Sequence, residues 1–453
     1  MAGRDAKSGK KKEKSSFRFI DLFAGLGGFH LALSSLGGEC VFASELKEDL
    51  RKIYKLNFGV DIQGDITKVN PETDIPPHNV LCGGFPCQPF SQAGKRQGFN
   101  DEKNRGTMFD YICKIIEVHR PEYLFLENVS NLKGHDKGNT WKIIQEKLDS
   151  LEYYVHAEIL SPHQFGYPQH RKRIYIVGRR KDLGDFSSFK FPEPQNVECD
   201  IHQIIDETDE DVSFLRADTK AQLNVWKEFL DNLSSRGGKI PGFPIWAMEF
   251  GANYNFKTLA PAFQKRSDLN GKKGKLGEAI HGNTTEECLK YLPNYAQTSK
   301  DKVFPSWKIR YIEQNRELYT NNSNWLDSWM DKVQFFDNSH LKLEWNCGNT
   351  APSISDKIVQ FRASGIRVKA ATFSPALNLV GTQVPIFPWI PIPGTNEVGR
   401  YMTIREAAKL QGMESLEFGN KEFQLSKTRI YEALGNAVNV QLVKKIARRL
   451  IKL

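Results

Sequence analysis

Short apolar runs alternate with helical segments from Phe17 to Gly178, and this alternation limits the fold more than any other feature of the chain. "FRFIDLFAG" reads as a strand, "GFHLALSSLG" as a helix stopped at Gly37, "CVFASE" as a strand and "LKEDLRKIYKLN" as a helix. "VLCGGF", "TMFDYICKIIEVH", "YLFLENV" and "TWKIIQEKLDSL" repeat the pattern. "YYVHAEIL" and "RIYIVG" close it with two strands. Continuous apolar runs of this length suit strands covered by helices on both faces. The alternation therefore predicts an α/β doubly wound, mostly parallel sheet over residues 17–182.

The pattern stops there. Residues 183–395 show no sustained period and mix tryptophan, glycine and lysine, as in "SSRGGKIPGFPIW" and "RSDLNGKKGKLG". This stretch is expected to form a second, smaller and irregular domain. Residues 396–428 read as a hinge that supports it, with a helix in "REAAKLQGM". Residues 429–453 end in "VNVQLVKKIARRLIKL", apolar at 438, 440, 442, 443, 446, 447, 450 and 451. That is one face of a helix, which is expected to return to the first domain.

The chain of 453 residues carries a formal charge of +9 and a pI near 9.0, which favours a polyanionic partner. Residues 1–16 hold six Lys or Arg against two acids and read as a disordered basic arm. The arm has no apolar core and so is not a secretory signal. It is either a solvated tail, a DNA-backbone contact or a localisation signal. No run approaches the roughly 18 apolar residues of a membrane helix. The seven scattered cysteines contain no C-x-x-C pair, which argues against a disulfide framework and a zinc site and for a reducing compartment.

"DLFAGLGGF" follows the first strand and opens a helix, so its glycines let backbone N–H groups approach a ligand. From Gly25 the dinucleotide pattern reaches Gly27 but then His30, where Gly or Ala is wanted. Glu45 ends the second strand, where an acid accepts from ribose hydroxyls. Asp65 in "GDI" is placed at the end of a third strand, able to accept from an adenine amino group. These features suggest an adenosine-containing ligand without a pyrophosphate, although a tight turn alone is also a common structural device. "GGFPCQPFS" holds Cys87 between Pro86 and Pro89 at the carboxyl end of a strand, where α/β sheets bind ligands. Cys87 reads either as a small buried residue or as a positioned nucleophile. Glu127 in "LENV" reads as a solvated strand end or a proton donor. Arg171 and Arg173 in "PQHRKRIYIVG" read as a surface charge run or as a pair for a phosphate or carbonyl oxygen.

"DLFAGLGGF", "GGFPCQPFS", "LENV", "QHRKRIYIVG" and "GNAV", in that order, resemble the motif set of the DNA (cytosine-5) methyltransferases of bacterial restriction-modification type. "RYMTIREAAKLQGM" is similar to that family's ninth motif and "GNAV" to its tenth. The resemblance covers residues 17–182 and 398–453 and implies an S-adenosylmethionine-dependent methyltransferase fold. It implies a target-recognition domain at 183–395, in which "FSPALNLVGTQVPIF" resembles a base-reading end. It also implies transfer of a methyl group from S-adenosyl-L-methionine to C5 of a flipped-out cytosine, releasing S-adenosyl-L-homocysteine.

The same resemblance gives Cys87 the attack on C6, Glu127 the N3 and N4 edge, Arg171 the base O2, and Arg173 support of the site. It places Phe23, Gly25, Gly27, Glu45, Leu46, Asp65, Ile66, Pro86, Met108, Asn436 and Val438 around the cofactor. Leu46 departs from the family, which often has an adenine-stacking aromatic there. Duplex DNA is the implied partner, together with a cognate endonuclease acting on the same site, for a monomeric protein of the bacterial cytoplasm associated with the nucleoid. No metal and no membrane are expected. An RNA cytosine-5 methyltransferase is the first alternative, disfavoured by the long middle region. A catalytically inactive DNA-binding homologue is the second, disfavoured because Cys87, Glu127, Arg171 and Arg173 are all present. An NAD-dependent oxidoreductase fails at His30.

Overall fold

The computed structural model describes residues 17–86, 108–195, 197–377 and 383–451. The chain divides into two compact units, Met1–Cys199 with Arg405–Leu453, and Asp200–Ile404.

The first unit is built on a six-stranded sheet. Its strands are β1 (Phe17–Leu22), β2 (Gly38–Ser44), β3 (Val80–Gly84), β4 (Tyr123–Val129), β5 (Tyr153–Leu160) and β6 (Arg173–Arg180). The order is β2-β1-β3-β4-β6-β5. β1 runs parallel to β2 and β3, and β3 parallel to β4. β6 inserts antiparallel between β4 and β5. The chain moves one way from β1 to β2 and the other way from β3 to β4. A crevice therefore opens at the carboxyl ends of β1 and β3, where such sheets bind ligands.

The helices follow from apolar spacing. Helix α1 (Gly28–Ser34) leaves the β1 turn, and α2 (Glu48–Phe58) buries Leu50, Ile53 and Tyr54. Gly59, at φ 66°, ends α2 in the left-handed conformation. Helix α3 (Met108–His119) buries Phe109, Ile112, Ile115 and Ile116, a spacing of three and four. Helix α4 (Asn139–Ser150) buries Ile144 and Leu148. Each fully buried aliphatic side chain of this kind contributes about 1.5–3 kcal/mol.

The late part of the chain closes this unit. The helix Val440–Leu450 buries Val440, Leu442, Val443, Ile446, Ala447 and Leu450 and packs on α1. Asn439 caps it, accepting from the Leu442 N–H at 3.0 Å and donating to the Leu410 carbonyl at 2.9 Å. Arg429 grips Asp49 of α2 with two hydrogen bonds, at 2.5 and 3.0 Å. The first unit also runs past residue 182. Phe186 stacks on Phe189, Phe191 meets Phe189 edge-on, and Arg449 donates to the carbonyls of Lys190 and Phe191 at 3.3 and 3.0 Å.

The second unit has more regular structure than its sequence suggests. A second six-stranded sheet runs in the order Val398–Tyr401, Ile386–Pro391, Lys357–Arg362, Gly365–Ala370, Lys342–Asn346, Ile245–Trp246. The helix Ala217–Ser235 lays Leu223, Trp226, Leu230 and Leu233 into the core beside Phe229, Phe250, Trp325 and Trp329. Its short strands and large aromatics explain the missing period: aromatic volume fills this core where repetition would otherwise be needed. Among the described residues, no helix is long and apolar enough to cross a membrane.

Candidate active site

The turn after β1 is defined by three left-handed residues. Phe23, Gly25 and Gly27 have φ of 56°, 54° and 79°. Phe23 is the costly one, since a non-glycine residue there stores roughly 1–3 kcal/mol of strain. A Cβ on Gly27 would stand 2.4 Å from Phe58 Cε2, so glycine is required for packing as well as for φ. At Gly25 a Cβ would meet nothing within 4 Å, so the backbone there borders open space.

Glu45 fixes this turn. Its Oε2 accepts from the Gly25 N–H at 3.0 Å and its Oε1 from the Lys47 N–H at 2.9 Å. The carboxylate stays half-buried and keeps lone pairs for hydroxyl donors. Leu46 beside it is 70% exposed, a large apolar surface at the rim. Asp65 lies elsewhere than the sequence suggests. It is not at a strand end, because β2 meets this segment only through a single bridge, Ser44 to Gln63. Asp65 instead caps the short turn Ile66–Lys68, accepting from the Thr67 N–H at 3.0 Å and hydroxyl at 2.8 Å. Those bonds hold its carboxyl below the usual range, so it is an anionic acceptor. Ile66 is buried. Glu45 thus offers free lone pairs, Leu46 an apolar rim and Asp65 a second fixed acceptor.

Glu127 is buried near the carboxyl end of β4, in register with Gly84 of β3 and Tyr175 of β6. Its Oε1 lies 3.0 Å from Arg173 Nε, a charge contact without aligned hydrogen-bond geometry. Burial raises its carboxyl above the usual range, against the pull of Arg173 and then Arg171. A Cβ on Gly84 would lie 3.6 Å from Glu127 Oε2 and 3.9 Å from Val438 Cγ1. A Cβ on Gly28 would lie 2.5 Å from Val438 Cγ2. Val438 thus packs between the first residue of α1 and the β3 edge that lies beside Glu127. Asn436 is exposed next to it, Pro86 is exposed after β3, and Met108 is half-buried at the start of α3.

The family resemblance implies that Arg171 reaches the base O2; in the structure its side chain is buried. Its guanidinium donates to the Gly435 carbonyl at 2.6 Å, and its own N–H donates to Ser161 Oγ at 2.9 Å. Burial and the neighbouring Arg173 push its pKa down to about 10. Arg173 keeps 20% of its side chain exposed beside Glu127. The physical reason is the partner: Arg173 begins β6 in the sheet beside Glu127, whereas Arg171 precedes β6 and donates to the last turn of the helix Lys427–Asn436.

Cys87 lies outside the described residues, as do residues 378–382 of the expected base-reading segment. Burial makes four of the described thiols poor nucleophiles. Burial pushes Cys82 well above its ordinary value and Cys40, Cys113 and Cys347 up to about 12.

Two residues with roles here were passed over in the sequence. Asn128 donates to the Phe85 carbonyl at 3.0 Å, tying β4 to the segment just before Cys87. It stands in the quoted "LENV", and an amide inside an apolar strand was the available signal. Asp21 is buried in β1 beneath the glycine turn. Burial pushes its carboxyl well up; the His30 backbone N–H opposes this and Glu45 adds to it. An acid inside "FRFIDL" was again the signal.

The family model described as C-5 cytosine-specific DNA methylase matches residues 17–452. The chain is 47% identical over 185 residues to the type II methyltransferase M.HhaI of Haemophilus parahaemolyticus, covering 41% of this chain and 55% of that one. It is 47% identical over 280 residues to the type II methyltransferase M.MspI of a Moraxella species, covering 62% of each. The chain thus spans less than two thirds of the length of these two relatives. The type II methyltransferase M.AluI of Cellulosimicrobium cellulans is 29% identical over 503 aligned positions, covering 97% of this chain and 93% of that one.

Proposed function

Because the chain belongs to the C-5 cytosine-specific DNA methylase family, we propose that it methylates C5 of cytosine at a specific duplex sequence and protects DNA in a restriction-modification system. The observation that supports this most is the buried Glu127 carboxyl against Arg173 at the carboxyl edge of the sheet. The Gly25–Gly27 turn, Glu45 and Asp65 would hold S-adenosylmethionine, which when bound would supply an electrophilic methyl group.

The side chains divide the remaining work. The Cys87 thiolate adds to C6 of the cytosine and makes C5 electron-rich; after methylation, loss of the C5 proton expels the thiol. Cysteine suits this because it attacks well and leaves well. Glu127 hydrogen-bonds the N3 and N4 edge and brings a proton to the ring while the adduct forms. Arg173 rather than Arg171 takes the base O2, since its guanidinium is the more exposed and already sits on Glu127. Arg171 holds the carboxyl end of the helix Lys427–Asn436 and with it Val438. Glu45 takes the ribose hydroxyls, Leu46 and Ile66 the apolar faces, and Asp65 the adenine amino group. The cytosine must leave the stack to reach this site, at about a few kcal/mol.

Incubation with methyl-labelled S-adenosylmethionine and duplex DNA tests the function. Label is expected in DNA, and bisulfite sequencing of DNA from expressing cells is expected to show one protected sequence. Label confined to RNA, or absent from both, would overturn the reading. The division between the arginines has its own test. Arg171→Ala is expected to cost about 1–3 kcal/mol, because it leaves the Gly435 carbonyl without its buried donor. At roughly 2–4 °C per kcal/mol that is a clear drop in Tm. Arg173→Ala is expected to lower Tm less, because the Glu127 carboxyl, which burial already raises, takes up a proton when its partner is lost, while kcat falls. Equal loss of Tm in both variants would return the two residues to one shared role.

A further inference from the structure

The second unit carries two lysines whose setting suits a ligand more than a fold. Lys308 lies on the helix Ser306–Thr320 and Lys342 begins the strand Lys342–Asn346. Their ammonium groups converge on one ring, at 5.4 Å and 5.9 Å from the centroid of Tyr295. Lys308 also sits 4.6 Å from the Phe304 ring, and Lys342 sits 5.3 Å from the Trp246 ring. Among the described residues neither lysine is in an ion pair. The acid nearest Lys342 in charge effect is Glu344, and it is taken by Arg362 at 2.8 Å and Arg367 at 3.3 Å.

The aromatic floor is rigid. The Tyr295 hydroxyl donates to the buried Glu249 carboxylate, which also accepts from Tyr254 and from Arg316 Nε at 2.9 Å. Burial lowers the pKa of both lysines, and Lys308 lowers that of Lys342 further. Two cations are thus held together and partly desolvated, with Asp301 and Glu344 acting on them through charge effect and not through an ion pair. The ring contacts offset part of the lost hydration, but the repulsion between the two ammonium groups remains. A bound anion repays both. The strand pattern extends the charge, because Lys342, Glu344, Arg362, Arg367 and Lys369 share one face, four cations to one acid.

Resting on the function proposed above, we propose that Lys308 and Lys342 form a clasp for the phosphate backbone of duplex DNA, adding affinity without sequence preference. Ammonium groups act as point charges for phosphate, and phosphate contacts carry no sequence information. The proposal is specific to these side chains and separate from whichever residues read the target sequence.

The test is equilibrium binding of the full chain to cognate and non-cognate duplexes across a salt series. The double variant Lys308→Gln, Lys342→Gln is compared with Lys308→Arg, Lys342→Arg and the wild type, with thermal melting of each. The glutamine pair is expected to weaken binding to both duplexes by a similar factor, about tenfold, and to lower the log–log salt slope by about 1–2. The arginine pair is expected to keep the slope. An unchanged slope in the glutamine pair overturns the clasp. So does a loss confined to the cognate duplex, or an equal loss in the arginine pair, which would mark a packing role. A wild type that binds duplex normally but methylates nothing sinks the enzymatic reading and leaves the clasp standing.

Discussion

Cys87→Ala is expected to abolish methyl transfer, with a rate loss on the order of 10⁶-fold, the scale seen when an enzyme loses its nucleophile. Without a thiol nothing adds to C6, and C5 of an intact cytosine is too electron-poor to accept a methyl group. The described thiols in the first unit's sheet and on α3 offer no substitute, because burial holds Cys82, Cys40 and Cys113 well above the range in which a thiolate forms. A duplex with 5-fluorocytosine at the target gives the sharper readout. Fluorine cannot leave C5 as a proton does, so wild type is expected to be trapped as a covalent complex stable to denaturing electrophoresis. The alanine variant is expected to form none while still binding duplex. A trapped complex in the variant would move the nucleophile elsewhere.

Glu127→Gln is expected to lower kcat by about 10²–10⁴-fold, the usual worth of a positioned general acid. The variant keeps the shape and a hydrogen-bond acceptor for Arg173, so a loss of this size reports the proton rather than packing. The pH profile separates the two further. Burial raises the Glu127 pKa above the usual carboxylate range. A group with a raised pKa holds its proton to higher pH and loses it as pH rises through that value. Wild type is therefore expected to lose rate on the alkaline side of a raised carboxyl pKa. The Glu127→Gln variant has no such proton and is expected to lack that limb. A variant profile identical in shape to wild type would remove Glu127 from proton transfer.

Much of this architecture is legible in the chain because parallel strands are covered on both faces. Runs such as "FRFIDL" and "YLFLENV" announce themselves whichever neighbours they take. Direction is not legible in the same way. Nothing in "RIYIVG" marks it as the reversed strand between β4 and β5, since an apolar run reads alike both ways. Residue types at the site were readable, but burial was not. "HRKR" looks like a surface run, and the carbonyl that draws Arg171 inward lies 264 residues later. Asp65 shows a related limit: a local turn bond to Thr67 decides its setting, not a strand. In the second unit one signal was present and weak. Leu223, Trp226, Leu230 and Leu233 keep helical spacing, diluted by lysine and asparagine between them.

The bond from Arg171 to Gly435 has a consequence for how the protein is made. A ribosome adding about 5–20 residues per second needs roughly 13–53 s to travel between those two positions. For that interval the sheet of the first unit can pair, while Arg171 waits for its carbonyl and the glycine turn waits for Val438. The whole second unit emerges in between. Newly made chains therefore pass through a stage in which the strands exist and the cofactor turn lacks one wall. Competence arrives in a single late step, when the segment around Gly435 docks, so partial products of synthesis do not hold a finished site.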